Sequence, residues 1–199
     1  IKTYELHSGE KRKVTARTRL FSPDLSADGK RIVAVEVTED MQYLLVVLDA
    51  ASGEVQQRLP NPEGYFHAYP RWTADGRIVA VANKNEESRL IVADPATGRN
   101  AALTPPTVHQ LTHPYPQGER VFFSAAYTGA NNIFVVDLAD GAIHQLTDVL
   151  TGAFQPAVSD DGTRLLFSAF DLEGYDIREL ALDEALWKPF APRTAPFGI

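Results

Sequence analysis

The sequence predicts an all-β protein built as a β-propeller, or an open propeller arc, of four-stranded antiparallel blades, with about four blades represented. Three observations carry that expectation. Glycines 29, 76, 118 and 162 recur at intervals of 47, 42 and 44 residues, each at a polar turn that an apolar run follows. A second series, glycines 9, 53, 98 and 141, recurs at 44, 45 and 43, with an acid four residues before each (Glu5, Asp49, Asp94, Asp137). The apolar runs between the two series, such as Ile32–Val35 and Tyr43–Leu48, are nearly continuous instead of alternating, which means burial on both faces. A unit of about 40–45 residues with four short strands has the size of a propeller blade.

Each unit holds four strands, here a to d. Strand a precedes the first glycine turn and b follows it; c ends at the acid, and d follows the second glycine. The chain opens on c and d (Ile1–Thr15), continues through three full units at about 21–60, 68–104 and 111–147, and closes on a, b and c over 155–182. The two partial ends supply five strands, one more than a single mended blade needs. The expectation is therefore a segment of a longer propeller, or an arc that self-associates through its open blade edges. Ile1 falls inside a strand, so the native N-terminus is expected elsewhere. Residues 1–183 are read as the propeller segment and 184–199 as a Pro-rich linker, from Lys188-Pro189-Phe190-Ala191-Pro192 onward.

The turns follow from their residues. Glycine supplies positive φ, and an adjacent Asp hydrogen-bonds its own backbone, so Ser159-Asp160-Asp161-Gly162 reads as a hairpin turn with Gly162 at positive φ.

Composition excludes more than it assigns. The 199 residues hold 19 basic and 26 acidic side chains, a net −7, which argues against nucleic acid as a partner. Lys11-Arg12-Lys13 reads as a solvated edge strand that discourages aggregation. No apolar run reaches the roughly 20 residues of a membrane-spanning helix. With no cysteine there are neither disulfides nor thiolate metal sites. No nucleophile elbow, zinc-protease helix or phosphate-binding loop occurs, so no catalytic, cofactor or metal residues are assigned.

Ser22-Pro23-Asp24-Leu25-Ser26-Ala27-Asp28-Gly29-Lys30-Arg31-Ile32, with Tyr69–Ile78 and Gln155–Leu165, resembles the WD40-like PD40 repeat of TolB-type propellers. The likeness covers the chain to about residue 183. The third copy departs from it, with Thr112 in place of the proline and Gln117 in place of the aspartate. The resemblance implies a periplasmic or envelope protein that binds other proteins. It also implies kinship with propellers that cap prolyl-oligopeptidase-like and tricorn-like serine peptidases. None of those families' catalytic residues fall on the repeat. Oligogalacturonate lyases, propellers of similar repeat, use clustered histidines for a metal, and His67, His109 and His113 each lie near the start of a blade.

The d–a and b–c loops share one face of a propeller. The longest, Asn61–His67, sets two aromatics beside a histidine, and exposed aromatics on loops are favoured binding anchors. The expected partner-binding residues are Tyr65, Phe66, His67, His109, Tyr127 and Asn131. The alternative for Tyr65 and Phe66 is a plug between blades. The function expected is non-catalytic binding of a protein, peptide or glycan in the bacterial envelope. The competing expectation is the propeller domain of a larger serine peptidase.

Overall fold

Why the b and c strands carry unbroken apolar runs is visible in a computed structural model, which describes residues 1–192. The central strand β4 (Arg31–Val37) sends Ile32 and Ala34 to one core and Val33 and Val35 to the next. In β8 (Ile78–Lys84), Ile78, Ala80 and Ala82 face back while Val79 and Val81 face forward. In β12 (Arg120–Ala125), Val121 and Phe123 face back and Phe122 forward. A strand with cores on both sides cannot alternate apolar and polar residues.

Three full blades follow one another. Blade I is β3 (Leu20–Leu25), β4, β5 (Tyr43–Asp49) and β6 (Val55–Arg58). Blade II is β7 (Phe66–Trp72), β8, β9 (Glu87–Asp94) and β10 (Arg99–Ala102). Blade III is β11 (Leu111–Gln117), β12, β13 (Asn132–Asp137) and β14 (Ile143–Gln145). Every pairing is antiparallel and sequential. The hairpin β1 (Lys2–Tyr4) and β2 (Lys11–Lys13) precedes them, and the three-stranded sheet β15 (Ala153–Val158), β16 (Arg164–Asp171) and β17 (Gly174–Ala181) follows. The expected order of c–d, three full blades, then a–b–c is the order observed, and among the described residues no strand of one end pairs with a strand of the other.

The C-terminal segment departs from expectation. After a 3-10 turn at Glu184–Leu186, β18 (Lys188–Phe190) pairs antiparallel with β14 as a fifth strand of blade III. Part of the expected linker is therefore a strand; its end, 193–199, lies outside the described residues. Trp187 packs over Phe122 and under the Arg120 guanidinium, and Phe190 stacks on Tyr127 at 5.2 Å. Apolar anchors outweighed the composition of the stretch, and proline is tolerated because the strand is at an edge.

All four inner strands bend at one place. Ser22, Tyr69, His113 and Gln155 have φ of 49°, 51°, 51° and 54°, each sits at a register shift, and each precedes a proline. One extra residue makes a bulge, and the proline has no N–H to leave unpaired there. This corrects the reading of the third repeat. Its proline is present as Pro114, and the departure lies in the turn, which is cut to Gly118-Glu119 between paired Gln117 and Arg120. The other three turns share one hydrogen-bond set: Ser26, Thr73 and Ser159 hydroxyls donate to Asp28, Asp75 and Asp161 at 2.6, 2.5 and 2.6 Å. Gly162 sits at φ 71°, as expected. The hydroxyl and backbone donors hold the Asp161 carboxyl down at about 2.

Candidate functional site

The d–a loop between β6 and β7 is shaped by Asn61. Its amide donates to the carbonyls of Tyr43 and Tyr65 at 3.2 and 2.8 Å, and its oxygen accepts from the Tyr65 N–H at 3.0 Å. That Asx-type closure delivers the chain so that Tyr65 and His67 turn to one side, their rings 6.5 Å apart, and Phe66 to the other.

Phe66 is the exposed member. It is 40% accessible and lies on Tyr43 at 4.3 Å and near Phe21 at 6.5 Å. These three rings come from the inner strand of blade II and from β3 and β5 of blade I, so the patch exists only once the two blades have docked. Tyr65 is half-buried, its hydroxyl accepting from Arg89 and its ring lying 4.9 Å from that guanidinium and 5.4 Å from the Lys84 ammonium. His67 corrects the expectation. It is 2% exposed, and its Nδ1–H donates to the Tyr43 carbonyl at 2.8 Å. Burial lowers its pKa and keeps the ring neutral.

The other expected residues are not beside these. Tyr127 belongs to the core between blades II and III, whereas Tyr65 packs against the core between blades I and II. Phe123, Phe134 and Phe190 surround the Tyr127 ring at 6.3, 5.0 and 5.2 Å, and burial pushes its hydroxyl pKa well above the ordinary phenol range. It packs as a partly buried ring against the core between blades II and III, with its hydroxyl buried and turned away from solvent. His109 is half-buried against the Tyr127 edge at 5.9 Å. Asn131 is half-buried, and its carbonyl accepts from the Ala153 N–H at 2.8 Å. Its neighbour Asn132 does the structural work, accepting from Thr147 and Val149 at 2.8 and 2.9 Å and donating to Thr128 and Val149 at 3.1 and 3.2 Å. Sequence reasoning passed over Asn132; the signal was its place at the start of an otherwise apolar c strand.

Histidines do not converge. His67 is in the core, His113 packs at a tilt against Tyr69 at 4.5 Å, and His109 meets Tyr127 edge-on at 5.9 Å. Among the described residues there is no group of three or more metal-ligating side chains. What the geometry offers is a small exposed aromatic patch around Phe66 and, separately, a crevice of about 250 Å³ where the loop leaving blade I after β6 crosses strands β9 and β10 of blade II.

The sequential four-stranded sheets define the class of protein as a β-propeller, here present as an open arc. No protein-family model matches the chain. A search of solved structures finds the same fold in a structure described as TolB from Agrobacterium tumefaciens, at 17% identity and a TM-score of 0.78, covering 94% of this chain and 72% of that one. TolB from Acinetobacter baumannii matches at 17% identity and a TM-score of 0.75, covering 96% of this chain and 48% of that one. A puromycin hydrolase matches at 19% identity and a TM-score of 0.69, over 86% of this chain but 28% of the hydrolase. Among curated proteins, the uncharacterized protein Atu1656 of Agrobacterium fabrum is 21% identical over 154 residues, 76% of this chain. The chain spans about half the length of that relative, 52%.

Proposed function

We propose that this propeller segment is a non-catalytic module that binds a protein or peptide partner in the bacterial envelope, using the face that carries the d–a and b–c loops. The observation that carries the reading is Phe66. It is an aromatic side chain 40% exposed at the mouth between two blades, backed by Tyr43 and Phe21. Exposed aromatics on a rigid support lose little freedom on binding and are over-represented among energetic anchors. The opposite face carries tight Asp-Gly turns whose polar groups are already satisfied within each turn. Likeness to TolB structures supports the envelope as the place of action.

The test is binding by the Phe66→Ala variant to the partner that the wild-type protein recovers from an envelope extract. The expected result is binding weakened about tenfold or more with unchanged melting. Intact binding would move the site elsewhere.

A second reading, the propeller domain of a larger hydrolase, is favoured by the match to puromycin hydrolase over most of this chain and a minor part of that enzyme. The discriminating observation is the reading frame beyond Ile199, where an α/β-hydrolase with a nucleophile elbow would favour the peptidase.

A further inference from the structure

The crevice between blades I and II is an irregularity in the repeat, and its chemistry follows from three substitutions within blade II. Aligning the c strands on their terminal acids, Asp49, Asp94 and Asp137, places Arg89 where blade I has Leu44 and blade III has Asn132. Opposite the third residue before each acid (Val46, Ile91, Phe134), the outer strands carry Arg58, Ala102 and Gln145. One position before each acid the pairing partners are Val55, Asn100 and Ile143. Blade II thus has a methyl group where its neighbours have long side chains, an amide where they have aliphatics, and a guanidinium on the adjoining strand. The outcome is a hollow of about 250 Å³ with Ile91, Ala102, Arg89 and Asn100 on one side and Pro60 and Tyr65 on the other.

Arg89 is held ready in that hollow. Its guanidinium stacks on the Tyr65 ring and gives one N–H to the Tyr65 hydroxyl, which leaves most of its five donors unspent. Among the described residues no carboxylate pairs with it within 4.0 Å, although the half-buried Arg71, Arg77 and Arg120 each take one. Lys84 adds a second positive charge beside the Tyr65 ring. The other titratable groups at the cavity are Glu63, exposed at the mouth near the Tyr65 hydroxyl, and His67, held neutral by burial. Asn100 gives one N–H to the Pro60 carbonyl at 3.2 Å and leaves the rest of its amide facing the hollow.

We propose that this inter-blade crevice binds a carboxylate, with the Arg89 guanidinium as its fork-shaped donor and the Asn100 amide as a second contact. The planar fork matches two carboxylate oxygens, and the aromatic ring beneath it fixes its orientation before any ligand arrives. The volume suits an acidic side chain or a chain terminus, not a drug-sized molecule. The site does not rest on the partner reading above, since Phe66 is not among the residues that line it.

The experiment is a nuclear magnetic resonance titration at constant ionic strength that follows the Arg89 Nε–H and Asn100 side-chain signals. Three probes are used: N-acetyl-glutamate methylamide, its glutamine isostere, and N-acetyl-alanine with a free carboxylate. Saturable shifts with one of the acids and none with the isostere are expected. A response to the glutamate probe identifies an acidic side chain as the natural group, and a response to N-acetyl-alanine identifies a chain terminus. Arg89→Gln should weaken the response about tenfold or more, and Ala102→Gln, which restores the bulk found in blade III, should weaken it with unchanged melting. Phe66→Ala should leave it intact, which separates this site from the partner face. Equal shifts with the isostere, or an unaltered response in Ala102→Gln, would overturn the assignment even if Arg89→Gln proves unstable.

Discussion

Gly53 lies so close to the Val14 carbonyl that a Cβ on the glycine would meet the carbonyl carbon at 2.9 Å. The contact is between blades, because Val14 ends the N-terminal hairpin segment while Gly53 turns β5 into β6. It recurs as Gly98 against Pro60 at 3.7 Å and Gly141 against the Leu103 carbonyl at 3.2 Å. At Gly53, and less tightly at Gly141, the glycine therefore serves twice, reversing the chain at positive φ and letting its blade seat on the one before it. At Gly98 the 3.7 Å spacing is ordinary contact that a Cβ would tolerate.

Substitution at the two glycine series should separate those roles. Gly162, at φ 71°, has nothing within 4 Å of a built Cβ, so Gly162→Ala should cost about 1–2 kcal/mol, the penalty of the left-handed conformation alone. Gly53→Ala carries the same penalty and must also push blade I off Val14. Chemical denaturation should show Gly53→Ala as the more damaging by about 1 kcal/mol or more. Equal losses would mean that the blade contact is soft.

Asp24 couples blades I and II through the position after the inner-strand proline. Its carboxylate accepts from the Trp72 backbone N–H and from the Arg71 guanidinium, both at 2.9 Å. Arg71 is 42% exposed, so solvent screening leaves the backbone bond as the larger part. Asp24→Ala should destabilise by about 1–2 kcal/mol, and Arg71→Ala by less than half of that. The ranking is the test, read from urea midpoints.

Tyr127 offers an unusual sign. Its hydroxyl is buried and has no hydrogen-bond partner among the described residues. Tyr127→Phe should therefore be neutral or stabilising by up to about 1 kcal/mol, whereas Tyr127→Ala should cost about 3 kcal/mol or more through the cavity it leaves. A loss on Tyr127→Phe in thermal melts would reveal a bond to that oxygen.

Acidification should destabilise the protein through His67 and His113. Burial lowers both pKa values, and at His113 the nearby Arg71 charge adds to the effect. Folded values below the ordinary 6.5 mean that the unfolded chain binds more protons, so stability is full above that value and is lost as pH falls below it. The melting temperature should drop between pH 7 and pH 5, with a shallower slope in His67→Gln, whose amide can still donate to the Tyr43 carbonyl. Parallel slopes would place the sensitivity elsewhere.

Self-association follows from the last sheet. Leu166, Phe170, Tyr175 and Ile177 share its outward face and are 43%, 41%, 68% and 80% exposed. Each earlier blade has the matching face covered by its successor, so the repeat itself indicates a blade-like surface as the cover. This 199-residue chain should associate at high concentration, and Ile177→Lys should shift sedimentation toward monomer. A wild-type monomer at all concentrations would refute the expectation.

The architecture was legible because it is written as spacing. Two glycine series and the two-sided apolar strands reproduce every strand through β17. Side-chain direction was less legible. His67 and Phe66 are adjacent in a strand and so point to opposite sides, which decides core against surface, yet that register depends on how the Asn61 loop delivers the chain. Tyr127 and Asn131 belong to a b–c loop, and a loop aromatic turns inward when neighbouring rings leave a gap to fill. The crevice was hidden for a different reason. It arises from what blade II lacks at Ala102, and a missing side chain shows only once strands are paired in register.

The strand β18 has a consequence for how the arc comes apart. In a linear array the terminal units fray first, since each holds only one neighbour. Here the chain leaves the final sheet and returns to blade III, closing a long loop with Gln145 paired to Lys188, so that sheet cannot peel away without first releasing the return strand. The hairpin β1–β2, largely exposed, has no such return. Hydrogen exchange should therefore run asymmetrically, fast at the N-terminal hairpin and slow across β14 and β15. The last amides to exchange should be those around the cluster of Phe134, Tyr127 and Phe190.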